Sequence, residues 1–470
     1  MTAPRPAAEI LATLWRDAAL PGDALDRITL TGREPVLPSS FALGTALQSA
    51  LGAAALAASE IGRARGGAAH AVSLDALDVA RESTSRFTLD GRAPDPWDKL
   101  SGLYRCADGH VRVHANFAHH RDGALALLGL PPGPATERTA VQQALAGWKR
   151  VDFESAAAER GLVVAAVRTP AEWAAHEQAA AVARLPLVAI ERIGDGPPRP
   201  WWPGRGEERD ATRPLAGLRV LDLTRILAGP VAGRTLAAWG ADVLLVNGPH
   251  LPNIEAIADT SRGKLSAQID LRDAAGRATL APLAREADVF LQGYRPGGLA
   301  ALGFGAEALA ALNPGIVCVS LSAYGHEGPW SARRGFDSLV QSATGLNLAE
   351  AAAFGSSEPR AWPVQALDYG AGHLLAFGAL AALLRQRREG GSWLVRVALA
   401  GVGRWIDGLG RVPGGPQAGA LDFEVALEES DSGFGRLAAV RHAVHFAGRR
   451  AGWTRPSMPP GSHPPAWPAR

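Results

Sequence analysis

The feature that most constrains this chain is a succession of short apolar runs in its second half, each followed by an interval long enough for a helix. Residues 218–223 (LRVLDL), 241–246 (ADVLLV), 287–291 (ADVFL), 316–321 (IVCVSL) and 394–399 (LVRVAL) read as strands buried on both faces. Between them lie helix patterns at about residues 230–239, 273–286, 307–312 and 371–388. Strands joined by helical crossovers run parallel, so the pattern predicts an α/β fold with a doubly wound, mainly parallel sheet. Ligands of such sheets sit at the carboxyl ends of the strands. Pro230 suits the first turn of its helix, whereas Pro282 should kink or shorten the helix around it.

A Pro-, Gly- and charge-rich stretch at residues 195–214 (DGPPRPWWPGRGEERDATRP) interrupts the chain and divides it near residue 195. Ahead of this linker (residues 196–214) lies a region with an echo of the second half. Residues 54–74 (AALAASEIGRARGGAAHAVSL) run parallel to residues 379–399 (ALAALLRQRREGGSWLVRVAL): an apolar helix, a basic last turn, a double-Gly cap and a strand. Residues 75–195, with DG turns and amphipathic helices at 123–128 and 169–183, suggest a smaller α+β domain. From residue 453 a Pro-rich tail should lie extended over the surface.

Lys and Arg total 48 against 46 Asp and Glu, a net charge of +2, so nothing points to a nucleic acid partner. An anionic ligand must be met by local placement of Arg and Lys. Cys106 and Cys318 are in no metal or disulfide spacing, which fits a reducing, cytoplasmic setting. The apolar runs at 53–58 and 374–384 are too short, or too broken by Gly and basic residues, for a membrane span. His119-His120 reads as a solvated pair near a helix start, with no third residue spaced to complete a metal site. GxSxG, HExxH, P-loop and GxGxxG patterns are missing.

The chemistry-bearing segments follow the strands. Leu221–Pro230 (LDLTRILAGP) ends a strand and opens a helix; Ser261-Arg262-Gly263-Lys264 forms a basic loop; Gln292-Gly293-Tyr294-Arg295-Pro296-Gly297-Gly298 follows a strand. Ala323-Tyr324-Gly325-His326-Glu327-Gly328-Pro329 and Arg334-Gly335-Phe336-Asp337 follow the next, and Ala366-Leu367-Asp368-Tyr369-Gly370-Ala371-Gly372 opens the long apolar helix. In this order the segments resemble the class III CoA-transferase (CaiB/BaiF) family. The first half resembles that family's downstream part, through its double-Gly cap and YRCADGHVRVHA at residues 104–115, as in a fused or tandem branch.

The resemblance implies a CoA-transferase III type sheet. It implies residues 1–195 as a degenerate downstream-half-like region with the small α+β module, and residues 215–452 as the CoA-binding catalytic domain. It makes Asp368 the catalytic carboxylate, moving CoA from an acyl-CoA donor to a carboxylic acid through an aspartyl covalent intermediate. The same residue type at a helix start is otherwise an N-cap. Gly370 and Gly372 would leave amide N–H groups free to face an oxyanion. CoA phosphates would be met by Thr224, Arg225, Leu227, Ala228, Arg262, Lys264, Gly293, Tyr294, Arg295 and Arg334. No permanently bound cofactor is implied; CoA and acyl-CoA are substrates, and a homodimer away from membranes is expected. The alternatives are an acyl-CoA isomerase or lyase using Asp368 as acid and base, and a degenerate CoA-binding subunit. Phe336 stands where racemising relatives carry a histidine, which disfavours racemisation. In the first-half copy the matching residues, 39–44, hold no carboxylate, so one active site per chain is expected.

Overall fold

The computed structural model describes residues 4–202 and 210–469; residues 203–209 of the linker lie outside the described residues. Its centre is a seven-stranded sheet in the order Leu265–Gln268, Asp242–Asn247, Arg219–Leu223, Val289–Gln292, Val317–Ser322, Ser392–Ala398, Ala189–Gly194. All neighbours are parallel except the last pair, where Ala189–Gly194 runs antiparallel to Ser392–Ala398. The protein is thus α/β with a doubly wound, mainly parallel sheet. Arg219–Leu223 is buried throughout, its charged Arg219 and Asp222 included, each of which is paired. Strand order reverses between Arg219–Leu223 and Val289–Gln292, and this switch point opens a crevice at the carboxyl ends.

The helix Ala366–Glu389 starts five residues before the apolar pattern does and is buried along nearly its whole length. It is long and apolar enough to cross a membrane by length and composition, but 94% of its apolar window is buried inside the protein. It packs against the helix Leu43–Ala64 of the first half and against Ala228–Ala238. The helix Ala274–Glu286 is not shortened by Pro282: Leu280, Leu283 and Ala284 anchor it in the core on either side, which offsets the hydrogen bond that proline removes. The single helix expected at 169–183 is two, Pro170–Ala174 and Glu177–Arg184, the first closed by a Thr169–Glu172 capping box.

The Pro-rich linker is no break in packing. Residues from Ile10 to Ala80 share one hydrophobic core with residues from Leu215 to Ala451. Strand exchange ties the two parts further. His445–Phe446 pairs with Val72–Asp75, and Gly435–Val440 pairs with Phe87–Leu89. A separate small α+β unit is built from the antiparallel strands Gly102–Cys106, Gly109–Val113 and Val164–Ala166 with three helices over its own core. The tail covers a sheet edge. His463 donates its N–H to the Ser266 carbonyl and accepts the Ser266 N–H at Nδ1 (2.9 and 3.0 Å), so Leu265–Gln268 presents no bare ladder there.

At the start of Leu43–Ala64 a buried carboxylate from outside the helix accepts from its first turn: Thr45 N–H donates to Glu34 Oε1 at 2.8 Å. Leu51 and Leu56 of that helix are fully buried in the shared core. Leu56→Ala should therefore cost about 2–5 kcal/mol. Urea unfolding followed by circular dichroism should show one transition for both parts of the chain, moved to lower denaturant.

Candidate active site

Asp368 sits in the first turn of Ala366–Glu389, but it does not cap that helix. Asp337, itself in the first turn of Asp337–Ala343, performs that duty: its Oδ2 accepts the N–H groups of Leu367 and Asp368 at 2.8 and 3.1 Å. Its Oδ1 accepts from Gln341 Nε2 at 2.5 Å. Asp368 is only 8% exposed, and among the described residues its carboxylate oxygens take no hydrogen bond. Burial, and then the charge of Asp337, hold the Asp368 carboxyl well above the usual carboxylate range. A buried carboxyl without hydrogen-bond partners is costly, and such groups concentrate where they are used.

Asp368 opens on a cavity of about 340 Å³ at the sheet's switch point. Of the residues singled out in the sequence, Arg225, Leu227, Ala228, Gly293, Tyr294, Arg295 and Arg334 line this cavity with Asp368. The turn from Arg219–Leu223 into Ala228–Ala238 passes through Ile226 at φ +76°, a left-handed conformation costly for a β-branched residue. It brings the first N–H groups of that helix to the cavity wall. Gly370 and Gly372 do not supply oxyanion donors, because both lie inside the helix. Gly372 serves close approach instead: a Cβ there would lie 2.6 Å from the Ala228 carbonyl oxygen.

Thr224, Arg262 and Lys264 are not on the cavity, which corrects their reading as phosphate ligands. Lys264 is fully buried, with Nζ donating to Asp222 Oδ2 at 2.8 Å and to the Pro230 carbonyl at 2.9 Å. Thr224 donates from N and Oγ1 to the other oxygen of Asp222. Arg262 donates to Asp259 and to the Val440 carbonyl (2.5 and 2.9 Å) and stacks on Trp453. These groups brace the turn behind the cavity, and Gly233 leaves room for it: a Cβ there would lie 2.3 Å from Asp222 Oδ2.

Of the four arginines on the cavity, Arg333 pairs with the Glu154 carboxylate at 3.4 Å, and the other three are held differently. Arg225 donates to the Pro252 carbonyl, and Arg334 meets only the His120 imidazole, at 3.3 Å. Arg295 is exposed and forms neither a hydrogen bond nor an ion pair among the described residues. Burial, then the charge of Arg295, press Arg334 below its ordinary value. Among the described residues no carboxylate pairs with any of these three.

The sequence reading missed the first half's share of the site. Phe117, His119, His120 and Val163 line the same cavity, so both parts of the chain build it. His120 is 5% exposed, not the solvated residue expected; His119 is exposed. Phe336 lines the cavity and stacks on His114, ring centroids 4.1 Å apart. The loops at residues 92–99 and 356–357 are not among the lining residues. No group of three or more His, Cys, Asp or Glu among the described residues could hold a metal ion.

Fold and site together define a doubly wound α/β protein with a buried, unpartnered carboxylate and an arginine-rich crevice at the switch point. Residues 215–407 match the family model described as CoA-transferase family III. An acetyl-coenzyme A transferase, nodX, of Hypoxylon pulicicidum is 29% identical over 321 residues, covering 65% of this chain and 54% of that protein. A probable fatty acyl-CoA transferase of Mycobacterium tuberculosis, Rv3272, is 36% identical over 201 residues, 40% of this chain and 50% of that protein. The crystal structure of Rv3272 covers 42% of this chain and 57% of its own, at 36% identity and a TM-score of 0.38. The chain spans about half the length of the curated relatives it matches.

The buried Lys264–Asp222 pair predicts a cost to the fold, not to ligand binding. Lys264→Met should lower unfolding free energy by about 3–5 kcal/mol by stranding Asp222. Calorimetric CoA titration of the folded fraction should return an unchanged affinity.

Proposed function

We propose that this protein transfers CoA from an acyl-CoA to a carboxylic acid, with Asp368 as covalent nucleophile. The observation that carries this reading is the Asp368 carboxylate, buried and without hydrogen-bond partners, opening on a cavity whose walls hold Arg225, Arg295 and Arg334 free of carboxylates. CoA is a polyanion joined to an apolar acyl thioester, and a crevice with both kinds of wall suits it. The relatives named as acetyl-CoA and fatty acyl-CoA transferases support the reaction class.

In this reading an oxygen of Asp368 attacks the thioester carbonyl, the C–S bond breaks, and CoA thiolate leaves a mixed anhydride behind. The thiolate then attacks the Asp368 carbonyl and expels the donor acid as its carboxylate, giving an aspartyl-CoA thioester. The acceptor carboxylate attacks that thioester and releases the thiolate again. The thiolate finally attacks the acyl carbonyl of the second anhydride, forming new acyl-CoA and regenerating the Asp368 carboxylate. The N-terminal turn of Ala228–Ala238, which lines the cavity with Asp368, offers amide donors for the tetrahedral oxyanion. Phe336 has no proton to give or take, so the position where racemising relatives carry a histidine offers no base here, which disfavours racemisation. One chain supplies both walls of one site; a homodimer carrying two such sites in a cytoplasmic setting is part of the proposal.

Asp368→Ala should reduce exchange by at least about 10³-fold while CoA binding persists. Hydroxylamine added during wild-type turnover should yield a hydroxamate at Asp368, detectable by peptide mass spectrometry; unmodified Asp368 would exclude the covalent route.

Because Asp368 attacks in its ionised form and its carboxyl is raised, kcat/KM should climb with pH through a limb above the ordinary carboxylate range. Asp337→Asn removes the neighbouring negative charge and keeps an acceptor for the helix. That limb should then move to lower pH by roughly one unit. A limb that stays in place would dissociate the two carboxyls.

A further inference from the structure

We propose that His120 is a positioning residue that holds Arg334 as an uncompensated cation for a phosphate group of the bound CoA. This inference rests on the reading of the cavity as an acyl-CoA site.

The geometry fixes the roles. A guanidinium can only donate, so at 3.3 Å the Nε2 of His120 must accept from Arg334 Nη1. The imidazole is therefore neutral, with its proton on Nδ1. Its surroundings enforce that state. His120 is packed among Phe117, His119, His114 and Phe336, with ring centroids at 5.6, 4.1, 6.4 and 6.4 Å. Burial, followed by the charges of His119, Arg334 and Arg225, pushes its ring down to about 3.

Elsewhere in the molecule buried arginines are held by carboxylates: Arg168 by Glu154, Arg262 by Asp259, Arg234 by Asp259 and Glu82. Those pairs are electrically closed. On the cavity Arg333 still meets Glu154 at 3.4 Å, but for two of its neighbours the holding groups change character, to the Pro252 carbonyl for Arg225 and the His120 ring for Arg334. A neutral acceptor fixes the direction of a guanidinium without cancelling its charge, which leaves that charge for a ligand. A carboxylate at the same place would hold Arg334 equally well and quench it. His120 lies on the helix Ala118–Leu127 of the small α+β unit, so through it the first half tunes the charge of a group in the second.

Three variants separate this role from simple packing. His120→Gln keeps a neutral acceptor, His120→Phe keeps the aromatic filling without one, and His120→Glu keeps an acceptor but adds a neutralising charge. Titrated calorimetrically with CoA, the Gln variant should stay within about threefold of wild type, the Phe variant weaken roughly tenfold, and the Glu variant more still. In steady-state exchange the KM for acyl-CoA should rise in the same order, with kcat at saturation little changed. Equal affinities in the Gln and Glu variants, or a Gln variant as weak as Phe, would overturn the proposal. The Gln and Glu pair decides it even where the Phe variant fails to fold, since thermal melting reports the folded fraction of each. Wild-type protein that binds no CoA would instead overturn the reading of the cavity, and this inference with it.

Discussion

The structure turns on the pair of hydrogen bonds that Leu367 and Asp368 donate from their backbone to Asp337. A helix start left without acceptors in a protein interior is expensive, and a nearby Asp ordinarily meets that need with its own side chain. Here the cap comes from another helix, which releases the Asp368 carboxylate from local duty. The same contact sets its electrostatics, since the capping group is itself a carboxylate and resists a second negative charge beside it. One interaction thus closes the helix, leaves the Asp368 carboxylate facing the cavity and raises its proton affinity.

Charge around the crevice is divided by what holds it. Lys264, Thr224 and Asp222 form a closed set behind the turn, and Arg262 is closed by Asp259. These groups shape the wall and have no charge to spare. Arg225, Arg295 and Arg334 are left electrically open, two of them steadied by neutral acceptors. The distinction lies in the partners, not in the residue types.

That explains how far the sequence could be read. The parallel sheet was legible because its strands are buried on both faces and need largely apolar runs, as in residues 241–246. Asp368 was legible through the ordered segments around it. Lys264 was misread because its partner Asp222 is distant in sequence, and a basic loop looks the same whether it faces ligand or core. The segment from Ala366 was legible as the opening of the long helix, but what caps it was not, the cap being thirty-one residues before Asp368. His120 carried no pattern beyond a neighbouring histidine; its place on the cavity comes from the docking of the small unit on the second half. The linker was legible as composition, but the shared core across it depends on helix-to-helix packing that no local segment encodes.

The two long helices that meet in that core begin alike. Glu34 reaches the first turn of Leu43–Ala64 at Thr45, the third residue of its helix, as Asp337 reaches the third residue, Asp368, of the other. The buried acid that closes the helix is present in both halves, while the acid that would react is present in one. Closing the helix is a demand of folding and is felt wherever the architecture is repeated; a reactive carboxylate is a liability to folding and is kept only where there is work for it. The first half thus starts its long helix as the second does, holds no carboxylate at residues 39–44, and lends walls such as Phe117 and His120 to the cavity on which Asp368 opens.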